Sequence, residues 1–220
     1  MILNKLKAFF FDVDGTIIDS DKEVTKIINK IKKKFFKNKK KVTIKKVANL
    51  SSMGGIQLIQ KTLGVKTKKF FYLKLFRDEY LQRKPDHNLL FANLEKLMKY
   101  LKRNNIKIYL CTNKPNILVN KLVMNTYLKD YIDEYFCADT YGLKKPDKKF
   151  LKKILKKTNT KKNEVAYIGD SLIDYKFCEN DIENFFLFYN PRIDYPKKFL
   201  LKLKKKNKII YNYDNFNFFK

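Results

Sequence analysis

The sequence predicts an α/β fold, a parallel sheet flanked by helices, with a small helical module inserted after the first strand. Three observations predict it. Short continuous apolar runs recur along the chain and stop at polar or glycine-containing turns, as strands buried on both faces do. Amphipathic helical stretches separate most of these runs, the alternation of a parallel sheet. Residues 17–85 break the alternation, with helical patterns and no convincing strand.

The first run is "AFFFD" at 8–12, leading into "DVDGT". The inserted block shows amphipathic helical spacing over 24–36 and 70–81, with a turn at "SSMGG", 51–55. A helix is expected over 93–103, where Leu94, Leu97, Met98 and Leu101 recur at helical spacing. Strands are expected at 106–112 ("IKIYLCT") and, more weakly, at 133–138 ("DEYFCA"). A helix over 148–157 gathers Phe150, Leu151, Ile154 and Leu155 on one face. Strands at 164–170 ("EVAYIGD") and 185–189 ("FFLFY") follow, and "KIIY" at 208–211 reads as an edge strand.

The chain has 220 residues, enough for one sizeable core or a core plus a small module. A hydrophobic fraction of 45% places it among globular rather than disordered chains. No apolar run reaches bilayer length, and the N-terminal run ends in "DVDG" without a small-residue cleavage site, so neither a membrane span nor a signal peptide is expected. Cys111, Cys137 and Cys178 are widely spaced and odd in number, which fits reduced thiols in a cytoplasmic protein. The formal charge of +28 invites a nucleic-acid reading. Against it, lysine far outnumbers arginine and is spread over every helix candidate, while Asn, Ile, Phe and Tyr are also abundant, as an AT-rich coding sequence produces. Nucleic acid is therefore expected to bind only non-specifically.

Ligands of open parallel sheets bind outside the carboxyl ends of the strands. Unusual polar residues stand at four such ends: Asp12 and Asp14, two apart and so on one side where the strand finishes; Thr112, Asn113 and Lys114; Lys144, Lys145, Pro146 and Asp147; and Gly169, Asp170 and Ser171, with Asp174 one helical turn on. Three carboxylates at one edge would repel each other and any anionic substrate, and a hard cation with oxygen ligands, Mg²⁺, resolves this. An EF-hand loop is a poor fit to "DVDG", because its glycine comes two places too early.

With "DVDGT", "LCTNKP", "KKPDKKF" and "IGDSLID" in this order, the chain resembles the haloacid dehalogenase superfamily over essentially its full length. Within it, the chain is similar to the phosphoglycolate-phosphatase-like branch with a helical cap. The resemblance implies a Rossmann-like catalytic core (1–16 and 86–220) and a helical cap (17–85). It implies a Mg²⁺-dependent phosphatase acting on a small phosphorylated metabolite through an aspartyl-phosphate. Asp12 is then the nucleophile and a metal ligand, Asp170 a second ligand, and Asp14 a ligand through its backbone carbonyl and the proton donor and acceptor. Thr112 and Lys145 hold the phosphoryl oxygens, with Lys144 the alternative to Lys145. Asn113 contacts phosphate through backbone or side chain, and Asp174 orients Lys145 or a metal-bound water. The turn holding Met53, Gly54 and Gly55, with Gln57 just beyond, is the candidate loop facing the substrate.

The bland readings are that Thr112 caps a helix, that Asp170 and Asp174 are an acidic pair favoured by a helix dipole, that Cys111 is core, and that His87 is a surface residue. The chain departs from the family at "KPDK", where a second proline is usual, and at "LLFANLEKL", which lacks the usual Pro-Gly. Arginines placed to grip a second anionic group are not expected in the cap, which argues against phosphoglycolate. Two rivals stand: a β-phosphoglucomutase-like phosphomutase, disfavoured because no histidine follows the first motif closely, and a non-catalytic fold that binds an acidic partner.

Overall fold

Three consecutive phenylalanines cannot alternate between core and water, so a strand carrying them must be covered on both sides. In the computed structural model, which describes residues 5–36, 40–83 and 87–214, Ala8–Phe11 (β1) is fully buried. Successive side chains point to opposite faces. Phe9 and Phe11 join one apolar cluster with Leu94, Leu97 and Leu101. Ala8 and Phe10 join another with Phe150, Leu151 and Ile154. Each phenylalanine removed from water contributes about 1.5–3 kcal/mol.

The other strands are β2 (Lys107–Cys111), β3 (Glu134–Phe136), β4 (Val165–Gly169), β5 (Asn184–Phe188) and β6 (Ile209–Ile210). They form one sheet in the order β3-β2-β1-β4-β5-β6, parallel throughout. All six expected strands form, the weak ones at 133–138 and 208–211 included. The order reverses at β1, which lies between β2 and β4, and that reversal opens a crevice at the carboxyl ends of these strands.

Four helices follow β1 as one block: α1 (Asp21–Phe35), α2 (Ile44–Ser51), α3 (Gly55–Leu63) and α4 (Lys69–Gln82). α1 buries Val24, Ile27, Ile28 and Ile31 at helical spacing, and they pack with Leu58, Ile59 and Leu63 of α3 in an apolar cluster separate from the sheet's two. The turn expected at 51–55 joins α2 to α3, and Gly54 there takes φ +89°, where a side chain would be strained. The expected division at 16/17 does not match the packing. Ile17 and Ile18 are buried in the sheet's cluster, Asp19 N–H donates to Leu89 O, and Phe91 N–H donates to Ile17 O. The helical packing starts at α1. The expected return boundary at 85/86 and the side chain of His87 lie outside the described residues.

The remaining helices flank the sheet: α5 (Leu94–Arg103), α6 (Asn116–Met124), α7 (Lys148–Lys157), α8 (Leu172–Cys178) and α9 (Lys197–Lys204). Among the described residues no helix is long and apolar enough to cross a membrane. Cys111, Cys137 and Cys178 are free thiols, all buried.

Candidate active site

The site grows from the carboxyl ends of β1, β2 and β4. Asp12 lies one residue beyond β1 and extends its ladder, its N–H donating to Ile168 O at 2.9 Å. Thr112 does the same after β2, donating to Phe136 O at 2.9 Å. Both side chains are buried and line one cleft with Asp14, Lys145 and Asp174. Strand ends converge there because the sheet order reverses, and tertiary pairing alone sets that order.

Lys145 is the hub. Its Nζ lies 2.8 Å from Asp12 Oδ1 and 2.6 Å from Asp174 Oδ1, and it donates to the Tyr167 hydroxyl at 2.9 Å. Lys144 is exposed, and of the two lysines Lys145 is the one that lines the cleft. Asp174 is set by the start of α8, where Ser171 Oγ accepts from Asp174 N–H at 3.2 Å and Asp174 Oδ2 accepts from Ser171 N–H at 3.1 Å.

Asp12, Asp170 and Asp174 are all buried and bring one carboxylate oxygen each within 4.8 Å of one another. Three anions there face one buried ammonium. Burial pushes the Asp12 carboxyl up to about 6 against the pull of Lys145. Burial pushes Asp170 well above its usual range, and the neighbouring Asp174 and Asp12 add to this. Gly15 presses against the cluster: at φ +78° a Cβ there would lie 1.9 Å from Asp170 Oδ2. An all-oxygen set with surplus negative charge fits a hard divalent cation such as Mg²⁺.

Asp14 has a different environment. Lys114 Nζ lies 2.7 and 2.9 Å from its two carboxylate oxygens, and Ser20 Oγ donates to Oδ1 at 2.6 Å. Burial would raise its pKa, but these donors outweigh it and hold the carboxyl below its usual range. Lys114 is itself buried and sits 4.6 Å from the centre of the Tyr80 ring on α4, so it bridges the sheet to the helical block. Burial disfavours its charge, but Asp14 and Tyr80 more than compensate and keep it protonated.

Three sequence expectations need correction. Asn113 does line the cleft, but its side chain is spent on backbone: Oδ1 accepts from Lys145 N–H at 2.8 Å, and Nδ2 donates to Lys145 O at 3.1 Å and Ser52 O at 3.3 Å. Only its backbone is left for phosphate. In the 51–55 turn Gly54 and Gly55 line the cleft. Met53 and Gln57 do not, and the Met53 sulfur accepts from Lys61 Nζ at 3.6 Å on the neighbouring helix. The helical block also brings an arginine to the cleft, Arg77 on α4, contrary to the expectation from sequence.

Sequence reasoning placed Lys114 at a strand end without giving it a role, and missed Tyr167 and the loop after β5. In that loop Arg192 grips Asp19 at 2.7 and 2.6 Å and Asp21 at 2.7 Å. Its carbonyl accepts from Asn49 of α2 at 3.0 Å, and Tyr195 donates to Asp170 O at 2.6 Å. The available signal was the arginine itself: in a chain this rich in lysine, Arg192 supplies the planar two-pronged donor that Asp19 and Asp21 share.

A family model described as haloacid dehalogenase-like hydrolase matches residues 6–180. The chain belongs to the haloacid dehalogenase-like hydrolases. It is 25% identical over 169 residues to a phosphoglycolate phosphatase of Aquifex aeolicus, covering 77% of this chain and 78% of that protein. It is 27% identical over 178 residues to phosphoglycolate phosphatase 1 of Pseudomonas aeruginosa, covering 76% of this chain and 64% of that one. A crystal structure described as a predicted phosphoglycolate phosphatase from Haemophilus somnus superposes with a TM-score of 0.78 at 16% identity, over 95% of each chain. A β-phosphoglucomutase from Clostridium difficile superposes with a TM-score of 0.74 at 18% identity, over 97% of this chain and 94% of that one. At these identities the two structures share the fold with this hydrolase, and the fold does not separate phosphatase from mutase.

Proposed function

We propose that this hydrolase is a cytoplasmic, Mg²⁺-dependent phosphatase of small phosphate monoesters, with the helical block of α1–α4 as a cap over the site. The observation that carries the reading is the trio of buried carboxylates, Asp12, Asp170 and Asp174, with the buried ammonium of Lys145 against Asp12 and Asp174. The relatives named phosphoglycolate phosphatases support it.

Asp12, Asp170 and the backbone carbonyl of Asp14 would hold Mg²⁺, which when bound neutralises their charge and that of the phosphoryl group. Asp12 Oδ attacks phosphorus, the ester P–O bond breaks, and the leaving oxygen takes a proton from Asp14. Water then attacks the aspartyl-phosphate, loses its proton to Asp14, and releases phosphate with Asp12 restored. Lys145, Thr112 and the Asn113 N–H stabilise the phosphoryl oxygens during both transfers. Lys114 holds Asp14 as carboxylate, the form that accepts the water's proton, so it must give up that contact for Asp14 to serve as the acid of the first step.

The test is phosphate release from p-nitrophenyl phosphate. Turnover is expected with Mg²⁺ and lost in excess chelator. Asp12→Asn should lower kcat by at least about 10³-fold, since an amide is a poor nucleophile and metal ligand. Asp14→Asn should instead give a burst of nitrophenol and a protein heavier by one phosphoryl group. Undiminished activity in chelator, or normal turnover by Asp12→Asn, would sink the reading.

A further inference from the structure

We propose that the cleft selects phosphate monoesters of apolar alcohols, with an alkyl or aryl leaving group against the helical block; this rests on the phosphatase reading above. The cleft that holds Asp12, Thr112 and Lys145 is walled on its other side by Val24, Leu58, Leu73, Phe76 and Leu118. Each is 5–7% exposed, so each keeps a strip of apolar surface at the cleft although most of it is packed in the interior.

Several polar groups on that wall are already committed. Ser51 Oγ donates to Ala48 O at 3.1 Å, the Ser52 carbonyl accepts from Asn113, and Tyr80 is engaged by Lys114. A site that reads sugar hydroxyls needs buried donors and acceptors left over for them, and discriminates strongly by them. This wall offers apolar surface instead. Arg77 lines the cleft from an exposed position with no ion-pair partner among the described residues; water screens a charge so placed, and phosphoglycolate is the substrate that tests whether it holds a second anion. Lys114, the nearer cation, is neutralised by Asp14.

Burying one methylene raises an equilibrium constant about four-fold. For the phosphate esters of methanol through hexanol, whose chemistry is alike, kcat/KM should climb about four-fold per methylene over the first few carbons. Hexyl phosphate should then exceed phosphoglycolate by more than about 10-fold. Non-hydrolysable alkylphosphonates, titrated calorimetrically with Mg²⁺ present, should show the same rise in affinity. Leu118→Gln should cost hexyl phosphate about 10-fold more than it costs methyl phosphate. A flat phosphonate series, or phosphoglycolate as the better substrate of the unmodified protein, overturns the inference even if Leu118→Gln fails to fold. A rising phosphonate series with no ester hydrolysed overturns the phosphatase reading and upholds the apolar pocket.

Discussion

Thr16 closes the "DVDGT" turn, and its hydroxyl is the one buried side-chain oxygen or nitrogen among the described residues that finds no hydrogen-bond partner. Its backbone is well used: the N–H donates to Val13 O and the carbonyl accepts from the buried Tyr213 hydroxyl at 2.9 Å. The turn therefore needs the residue's shape and main chain, while the unpaired oxygen carries a desolvation cost of about 1–3 kcal/mol. Thr16→Val keeps the shape and removes the oxygen. Urea unfolding should show it more stable by about 1 kcal/mol; a loss of stability would mean that the hydroxyl has a partner such as ordered water. Gly15 beside it allows no such change, because the space for a Cβ is already filled by Asp170.

Between elements, Asp133 shows how a loop carboxylate sets strand position. It accepts from Ile108 N–H of β2 at 2.8 Å and pairs with Lys102 of α5 at 2.7 Å and Lys107 of β2 at 3.0 Å. Burial would push this carboxyl up, but the N–H and the two lysines outweigh it and hold it below 3.8. A depressed folded value means the stabilisation is complete above the unfolded value and is lost as pH falls through the folded one. The unfolding midpoint of Asp133→Asn should therefore lie below that of the unmodified protein by a constant gap above about pH 5, and the gap should close as the pH drops below 3.8. A gap independent of pH would show that the carboxylate's charge plays no part. Helix ends tell a related story. Asn105, Asn159, Asn180 and Asn207 take positive φ just past α5, α7, α8 and α9, where glycine is usual. Asparagine is the next best residue at such positions, and the helices expected to stop at 103 and 157 do stop there.

Over the whole molecule, the +28 charge comes from lysines spread along the sequence rather than from one run. Several lysines are tied up locally, as Lys30 is by Glu79 and Lys162 by Asp181, and the buried ones serve the cleft. Duplex DNA should therefore bind without regard to sequence, and its affinity should fall by orders of magnitude between about 50 and 200 mM salt. Filter binding with two unrelated duplexes would check this, and a sequence preference that survives physiological salt would contradict it.

The apolar runs, the helical spacing of Leu94, Leu97, Met98 and Leu101, and the polar residues at strand ends were legible because each depends on local periodicity. They determined the strand positions, the fold class and the gathering of Asp12, Thr112, Lys145 and Asp170 at one edge. What the side chains do to one another was decided by tertiary structure. Lys114 is 100 residues from Asp14 and 34 from Tyr80, separations at which no pattern along the chain announces a contact. The Asn113 side chain binds the Lys145 backbone because polar groups leaving water take the partners that folding brings within reach, and Met53 meets Lys61 at the surface. The apolar wall of the cleft has the same origin: Val24, Leu58 and Leu73 stand on three different helices, and only packing brings them together to line the cleft with the carboxylates.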